Sequence, residues 1–91
     1  MEFVIKTIIE ILGKPKEHVE ATIKKVSEEL RKKEGITIIN EELAETKEVD
    51  SLFATYIDLE LNLADMDKFI DFCFDFLPSS IEILEPEKLE L

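Results

Sequence analysis

Strand-like and helix-like spacings of apolar residues follow one another along this chain in an order that few folds accommodate. Residues 3–12 are rich in β-branched side chains that alternate between two faces, which predicts a β-strand. Residues 16–34 instead carry one apolar stripe with the period of an α-helix, after a turn at residues 13–15. The helical stripe consists of Val19, Ile23, Val26 and Leu30. The first third of the sequence therefore predicts a strand that leads directly into a helix.

The rest of the sequence extends this succession. Apolar runs at residues 36–40 and 52–63 predict two further strands, and residues 66–77 predict a second helix. Residues 80–85 predict the last strand, and the acidic stretch 41–51 predicts a polar connection. The predicted order is strand, helix, strand, strand, helix, strand.

The second predicted helix has an alternative. Its phenylalanines at positions 72, 74 and 76 also alternate with a period of two, as they would in a strand. We favour a helix because Asp65 is a good N-cap residue. In addition, parallel neighbouring strands need a crossover connection, and residues 66–77 would supply it.

Six elements in this order resemble the ferredoxin-like superfold. The resemblance implies an α+β, two-layer sandwich with the element order βαββαβ. Its antiparallel sheet would have four strands in the order 4-1-3-2, with both helices on one face. A chain of 91 residues is large enough for one core, so we expect a single domain covering residues 1–91.

The charge of the chain is unevenly distributed. Its net charge is −11, and residues 36–91 carry 3 Lys against 15 Asp and Glu, whereas residues 1–35 are almost balanced. An acidic surface repels phosphate backbones, so we expect no nucleic-acid binding; it favours basic partners, cations or simply solubility. The abundance of Glu, Lys and Ile, together with the absence of Gln, is typical of heat-adapted proteins.

The sequence also indicates a compartment. Its single cysteine, Cys73, rules out an intramolecular disulfide and suits a reducing environment. No apolar run approaches the ~20 residues that span a bilayer. Lys6 and Glu10 interrupt the apolar residues near the N-terminus, which argues against a signal peptide. We therefore expect a cytoplasmic protein that does not associate with membranes.

The second predicted helix has more apolar surface than packing in a two-layer fold requires. Its apolar arc is roughly 200° wide, against the ~100° that a surface helix needs. The surplus can be covered by the first helix and the sheet edge, or it can bind a second copy or another protein. The candidate interface residues on this helix are Phe69, Phe72 and Phe76. The pattern alone does not decide whether Phe72 and Phe76 are core or surface.

The sheet face away from the helices is a second candidate contact surface. It mixes charged residues with apolar ones, and its candidate interface residues are Ile8, Tyr56 and Leu84. Sheets that read RNA present stacked aromatic and basic residues, and Tyr56 among acidic neighbours does not fit that description. A weak dimer interface and a solvated face are both compatible with this mixture.

The turn between the first strand and the first helix resembles the ligand-binding turn of ACT-type regulatory domains, which share this topology. The resemblance implies dimerisation and amino-acid sensing near the first N–H groups of the helix. The candidate ligand residues are Gly13, Lys14 and Lys16. The acidic residue and the second glycine that are usual in that turn are missing here. A small-molecule ligand is therefore the alternative to protein association.

Residues 72–82, with the sequence FCFDFLPSSIE, are similar to segments of small uncharacterised archaeal proteins. That resemblance implies no activity.

The sequence contains no visible catalytic, cofactor or metal set. Neither His18 nor Cys73 has a second His or Cys with which to form a metal site or a nucleophile–base pair. The acidic stripe of the second predicted helix, without loop carbonyls, would make a poor calcium site. Its members are Asp67, Asp71 and Asp75. We therefore expect a protein that is not an enzyme and that holds no cofactor or metal.

Overall fold

The computed structural model of the chain describes residues 1–86 and shows two helices and five strands. In chain order these are β1 (Phe3–Gly13), α1 (Lys16–Lys32), β2 (Ile36–Leu43), β3 (Lys47–Val49), β4 (Leu52–Leu63), α2 (Met66–Phe76) and β5 (Ser80–Glu85). Residues 87–91, which belong to the predicted single domain, lie outside the described part of the chain.

All five strands join one antiparallel sheet in the order β2-β4-β1-β5, with β3 paired to one end of β4. The central pair, β1 and β4, is in register from Phe3 opposite Leu63 to Gly13 opposite Phe53. Alternation of side chains then places the buried odd-numbered residues of both strands on one face. Both helices contribute buried residues to the same core cluster, so they cover that face. The opposite face carries no helix among the described residues.

The sheet differs from the predicted four strands in the order 4-1-3-2, because the segment predicted as a polar connection contains a further strand. β2 continues to Leu43, and β3 forms a hairpin with β4. Asp50 and Ser51 connect these strands with φ values of 50° and 70°. Two residues with positive φ produce the tight turn that matches the twist of a hairpin, and Asp tolerates that conformation better than most residues. The acidic composition of the segment is also typical of a polar loop, so the sequence did not predict this turn.

A β-bulge changes the direction of the side chains in β2. The register with β4 shifts between Ile38 and Asn40, so that Glu41 lies opposite Leu59 and faces the helices. There one carboxylate oxygen of Glu41 accepts a hydrogen bond of 2.6 Å from the Ser27 hydroxyl, and the other accepts one of 2.9 Å from Arg31. Arg31 also donates to the hydroxyl oxygen of Ser27. The bulge thereby fastens α1 to the edge strand β2.

The core lies between the helices and the odd-numbered face of the sheet. Its buried apolar residues from the sheet are Phe3, Ile5, Ile9, Ile57, Leu59, Leu61 and Leu63. The helices contribute Val19, Ile23, Leu30 and Phe72. The Phe72 ring is stacked on Phe76 with centroids 5.5 Å apart, and Phe69 meets Phe3 edge-on at 5.3 Å. Truncating a core ring such as Phe72 to Ala costs about 3 to 5 kcal/mol, so α2 is held mainly by its aromatic side.

The interaction between Glu41 and α1 predicts a pH-dependent contribution to stability. Burial acts to raise the pKa of Glu41, but the hydrogen bonds from Ser27 and Arg31 and the charge of Arg31 outweigh it and lower the pKa below 4.5. The carboxylate therefore stabilises the fold fully above that pH, and the contribution is lost as the pH falls through the lowered pKa. We expect Glu41→Gln to lower the free energy of unfolding by about 1 kcal/mol at pH 7 and by much less at pH 3.

Urea unfolding of the variant and of the natural protein at both pH values measures this difference. The matched control is Glu42→Gln, which changes the next residue of β2, on the opposite face of the sheet beside Asp58. An equal loss at pH 7 and pH 3, or an equal loss in the control, would show that the contacts of Glu41 with α1 do not set the effect.

Candidate interaction surface

Both ends of α2 are defined by local hydrogen bonds. At its start, the Asp65 side chain accepts a hydrogen bond of 2.9 Å from the backbone N–H of Lys68, as expected of an N-cap. At its end, the backbone N–H of Leu77 donates to the carbonyl oxygen of Cys73 at 3.1 Å. Leu77 adopts the left-handed conformation there, with φ 45° and ψ 59°. The helix therefore ends before Pro78 for two reasons: Leu77 leaves the right-handed helical conformation, and a proline does not continue a helix.

The residues of α2 divide into a buried aromatic side and an exposed apolar side. Phe72 is fully buried, and Phe69 and Phe76 are partly buried and packed against the core. Phe74 and Leu77, by contrast, are 75% and 76% exposed. Met66 and Ile70 complete the exposed apolar set.

This division decides the question that the sequence left open. The structure places Phe72 in the core, so its ring has no exposed surface to offer a partner, and Phe69 and Phe76 offer little. The residues with free apolar surface are Phe74 and Leu77, which were part of the wide arc but were not among the predicted interface residues. Their signal in the sequence was the width of the arc itself, since about 200° is wider than the ~100° that a surface helix needs.

The exposed apolar side of α2 points away from α1. The flank that faces α1 carries Asp75, whose carboxylate lies 3.3 Å from the Lys33 ammonium group. Ile70 lies roughly 140° around the helix axis from Asp75, at 100° per residue. Ile70 is therefore on the flank next to the sheet edge formed by β5.

β5 adds apolar residues on the same side of the sheet. Ile83 lies opposite Ile5, and Ile81 opposite Thr7, so both isoleucines are on the face that carries the helices. They are nevertheless 37% and 38% exposed, because α2 packs over β1 and β4 and leaves β5 largely uncovered. We name the exposed apolar residues of these two elements the α2–β5 surface. Its members are Met66, Ile70, Phe74, Leu77, Ile81 and Ile83.

The outer edge of β5 has no partner strand among the described residues. Within residues 1–86, β5 pairs with β1 on one side and with no other strand. The pairing is regular from Ser80 to Ile83, and the register shifts beyond that point. An edge strand presents unpaired N–H and C=O groups to any chain that can lie beside it.

The backbone conformation of Leu77 lowers the stability of the fold. A non-glycine residue in the left-handed conformation is strained, and glycine is the residue usually found at this position of a helix end. Leu77 is also one of the most exposed apolar side chains of the described chain, so it returns little packing energy. Backbone strain at an exposed apolar residue is typical of a functional position.

The other predicted interface residues lie on the open face of the sheet. Tyr56 is exposed opposite Glu10, and Ile8 is half-buried between Asp58 and Ser80. Leu84, also half-buried, falls where the register of β5 shifts. These residues and the three phenylalanines therefore do not form one surface.

A groove with a volume of about 610 Å³ lies at one end of the open face. Its lining residues include Glu10, Leu12, Lys47, Val49, Ala54 and Tyr56. The strands β1, β3 and β4 therefore all contribute to it. The size is in the range of small-molecule sites.

The turn with the predicted ligand residues adjoins this groove but does not line it. Gly13 follows Leu12 at the end of β1, and Lys14 and Lys16 are exposed. The first N–H groups of α1 are partly used, since His18 and Val19 donate to the carbonyl oxygen of Pro15 at 3.0 and 3.2 Å.

The structure places His18 on α1 and Cys73 on α2. Burial raises the pKa of the half-buried Cys73 thiol, which disfavours the reactive thiolate. His18 is exposed on the first turn of α1. Across residues 1–86, no three His, Cys, Asp or Glu side chains converge as a metal site would require. No helix in that range is long and apolar enough to cross a membrane.

Comparison with known proteins identifies the family. The profile described as the MJ0538 family matches residues 4–91. The chain belongs to the MJ0538 family. This match agrees with the resemblance to small uncharacterised archaeal proteins. No curated protein and no solved structure matches the chain.

The strain at Leu77 predicts a substitution that stabilises the fold. Leu77→Gly removes the Cβ that conflicts with a positive φ, so we expect the free energy of unfolding to rise by about 1 kcal/mol. Leu77→Ala keeps the strain while removing the exposed side chain, and we expect no such gain from it. Urea unfolding of both variants makes the comparison, and equal stability of the two would contradict the strained state of this residue.

Proposed function

We propose that this protein is a non-catalytic association module and that its binding site is the α2–β5 surface. The observation that carries the proposal is that exposed apolar side chains occur together at α2 and β5: Phe74 and Leu77 are about three-quarters exposed, and Ile81 and Ile83 are also exposed. Single exposed apolar residues are common on soluble proteins, whereas several on two neighbouring elements are typical of an interaction site. Aromatic residues such as Phe74 often contribute much of the binding energy in such sites.

The strain at Leu77 supports the same proposal independently. A residue that costs stability in the isolated fold is most simply explained by a gain on binding, since natural sequences tolerate local strain at functional positions. Leu77 follows the last residue of α2 and is separated from β5 by two residues of the chain. We also propose that the fold is of the ferredoxin-like kind, with β3 as an addition to the order βαββαβ, and that the protein works in the cytoplasm.

The test of the proposed function is the native size of the protein in an extract of the cells that encode it. We expect the natural protein to elute from a sizing column in a complex larger than a monomer. The double variant Phe74→Ser with Leu77→Gly should elute as a folded monomer, because both substitutions remove exposed apolar surface and the second relieves strain.

The control is Ile39→Ser, which removes an exposed apolar residue at the bulge of the opposite edge strand, β2. We expect this variant to stay in the complex. A natural protein that elutes as a monomer would overturn the proposal, and loss of the complex in the Ile39→Ser variant alone would move the interface to the other edge.

Small-molecule sensing, as in ACT-type domains, is the second candidate function, and the groove on the open face favours it. A ligand present at 100 times its dissociation constant adds about 2.7 kcal/mol to stability. In a thermal-shift screen with amino acids and nucleotides, we expect a shift that Tyr56→Ala removes if the groove is the site. A shift that Lys14→Ala removes instead would locate the ligand at the turn, and no shift across the panel would contradict this candidate.

A further inference from the structure

We propose that the occupant of the α2–β5 surface is an extended segment of another protein, with alternating apolar and basic side chains, that adds to the outer edge of β5 as a sixth strand. This inference rests on the proposed function and specifies the partner. Strand addition to an exposed sheet edge is a general mode of peptide recognition, in which backbone hydrogen bonds give affinity and alternate side chains give specificity.

The inner edge of β5 shows which side chains this strand pairs with. On the helix side of the sheet, Ile83 and Ile81 lie opposite Ile5 and Thr7 of β1. On the open side, Glu82 lies opposite Lys6. β1 therefore offers β5 an apolar or small side chain on one face and a basic side chain on the other.

A strand on the outer edge would meet the same two faces of β5. Its helix-side residues would lie beside Ile81 and Ile83 and would cover apolar surface that is now exposed. Its open-side residue would lie beside Glu82, where a Lys or Arg forms a favourable cross-strand pair and a Glu does not. The regular part of β5, from Ser80 to Ile83, sets the length of the contact.

Charge argues against a second copy of this chain as the occupant. The two long edge strands have the sequences ITIINEEL in β2 and SIEILE in β5, which contain Glu but neither Lys nor Arg. Pairing β2 or β5 of one copy with β5 of another would therefore bring carboxylates together without a basic counterpart on either strand. Each copy also has a net charge of −11, which opposes self-association and favours a basic partner.

The test uses two blocked synthetic peptides, TIKIKVT and TIEIEVT, which differ only in the charge of two residues. We expect the basic peptide to bind the protein about tenfold more tightly than the acidic one at low salt, and less tightly as salt is added. Amide signals of β5 and α2 should shift in the NMR spectrum when the basic peptide binds. N-methylation of the backbone amides along one edge of the peptide should abolish binding, whereas methylation along the other edge should not.

Two charge-reversal variants of the protein sharpen the test. Glu82→Lys should invert the preference, so that the acidic peptide binds more tightly than the basic one. Glu42→Lys makes the same change in net charge on the open face of β2, the other long edge strand. It should leave the preference for the basic peptide in place. Long-range attraction changes equally in both variants, so a difference between them reports the local pairing at Glu82.

Several results would overturn this inference. They are equal binding of the two peptides, equal effects of Glu82→Lys and Glu42→Lys, NMR shifts confined to β2, and no binding of either peptide at millimolar concentration. Self-association of the purified protein that is lost when Ile83 is replaced by Lys would make a second copy the occupant. If the peptides fail while the complex in the cell extract still depends on Phe74 and Leu77, association stands and strand addition does not.

Discussion

The antiparallel pairing of β1 with β4 is the interaction on which the rest of the structure depends. The register holds without interruption from Phe3 opposite Leu63 to Gly13 opposite Phe53. Because both strands keep strict alternation over this length, one face collects the buried residues and the other keeps the charged ones. The helices can pack only on the apolar face, and β2 and β5 can add only at the two outer sides. The pairing of β1 with β4 therefore determines where the helices and the edge strands lie.

The position of α2 over that central pair explains where apolar surface is left over. The helix has 11 residues and makes its contacts with β1 and β4, so its aromatic side is satisfied without help from β5. The other flank of the helix then packs against no strand among the described residues, and the helix side of β5 is left largely uncovered. A helix shifted toward the edge would have covered Ile81 and Ile83, whereas Phe74 lies about 200° around the helix from the buried Phe72 and would stay exposed. The exposed apolar area of β5 is thus a product of helix placement rather than of composition.

Much of this arrangement could be predicted from the sequence, and the parts that could not have physical reasons. The strands β1 and β4 and both helices have strong periodicity, which the long register and the core then use. β3 was missed because its hairpin depends on positive φ at Asp50 and Ser51, a pair that reads equally well as a polar loop. The orientation of α2 was undetermined because its apolar arc allows several rotations. The contacts of Phe69 with Phe3 and of Asp75 with Lys33 select one of them, and both partners are distant in sequence.

The acidic side chains of the outer strands also bear on how the molecule behaves at high concentration. Free strand edges are the usual starting point for sheet-to-sheet growth between identical chains, and charge on those edges is a common protection against it. In β2 and β5 the protection consists of carboxylates alone. This protection therefore depends on the solvent. In an acidic or strongly saline medium, which neutralises or screens carboxylates, both edge strands would become sites at which ordered aggregates can grow.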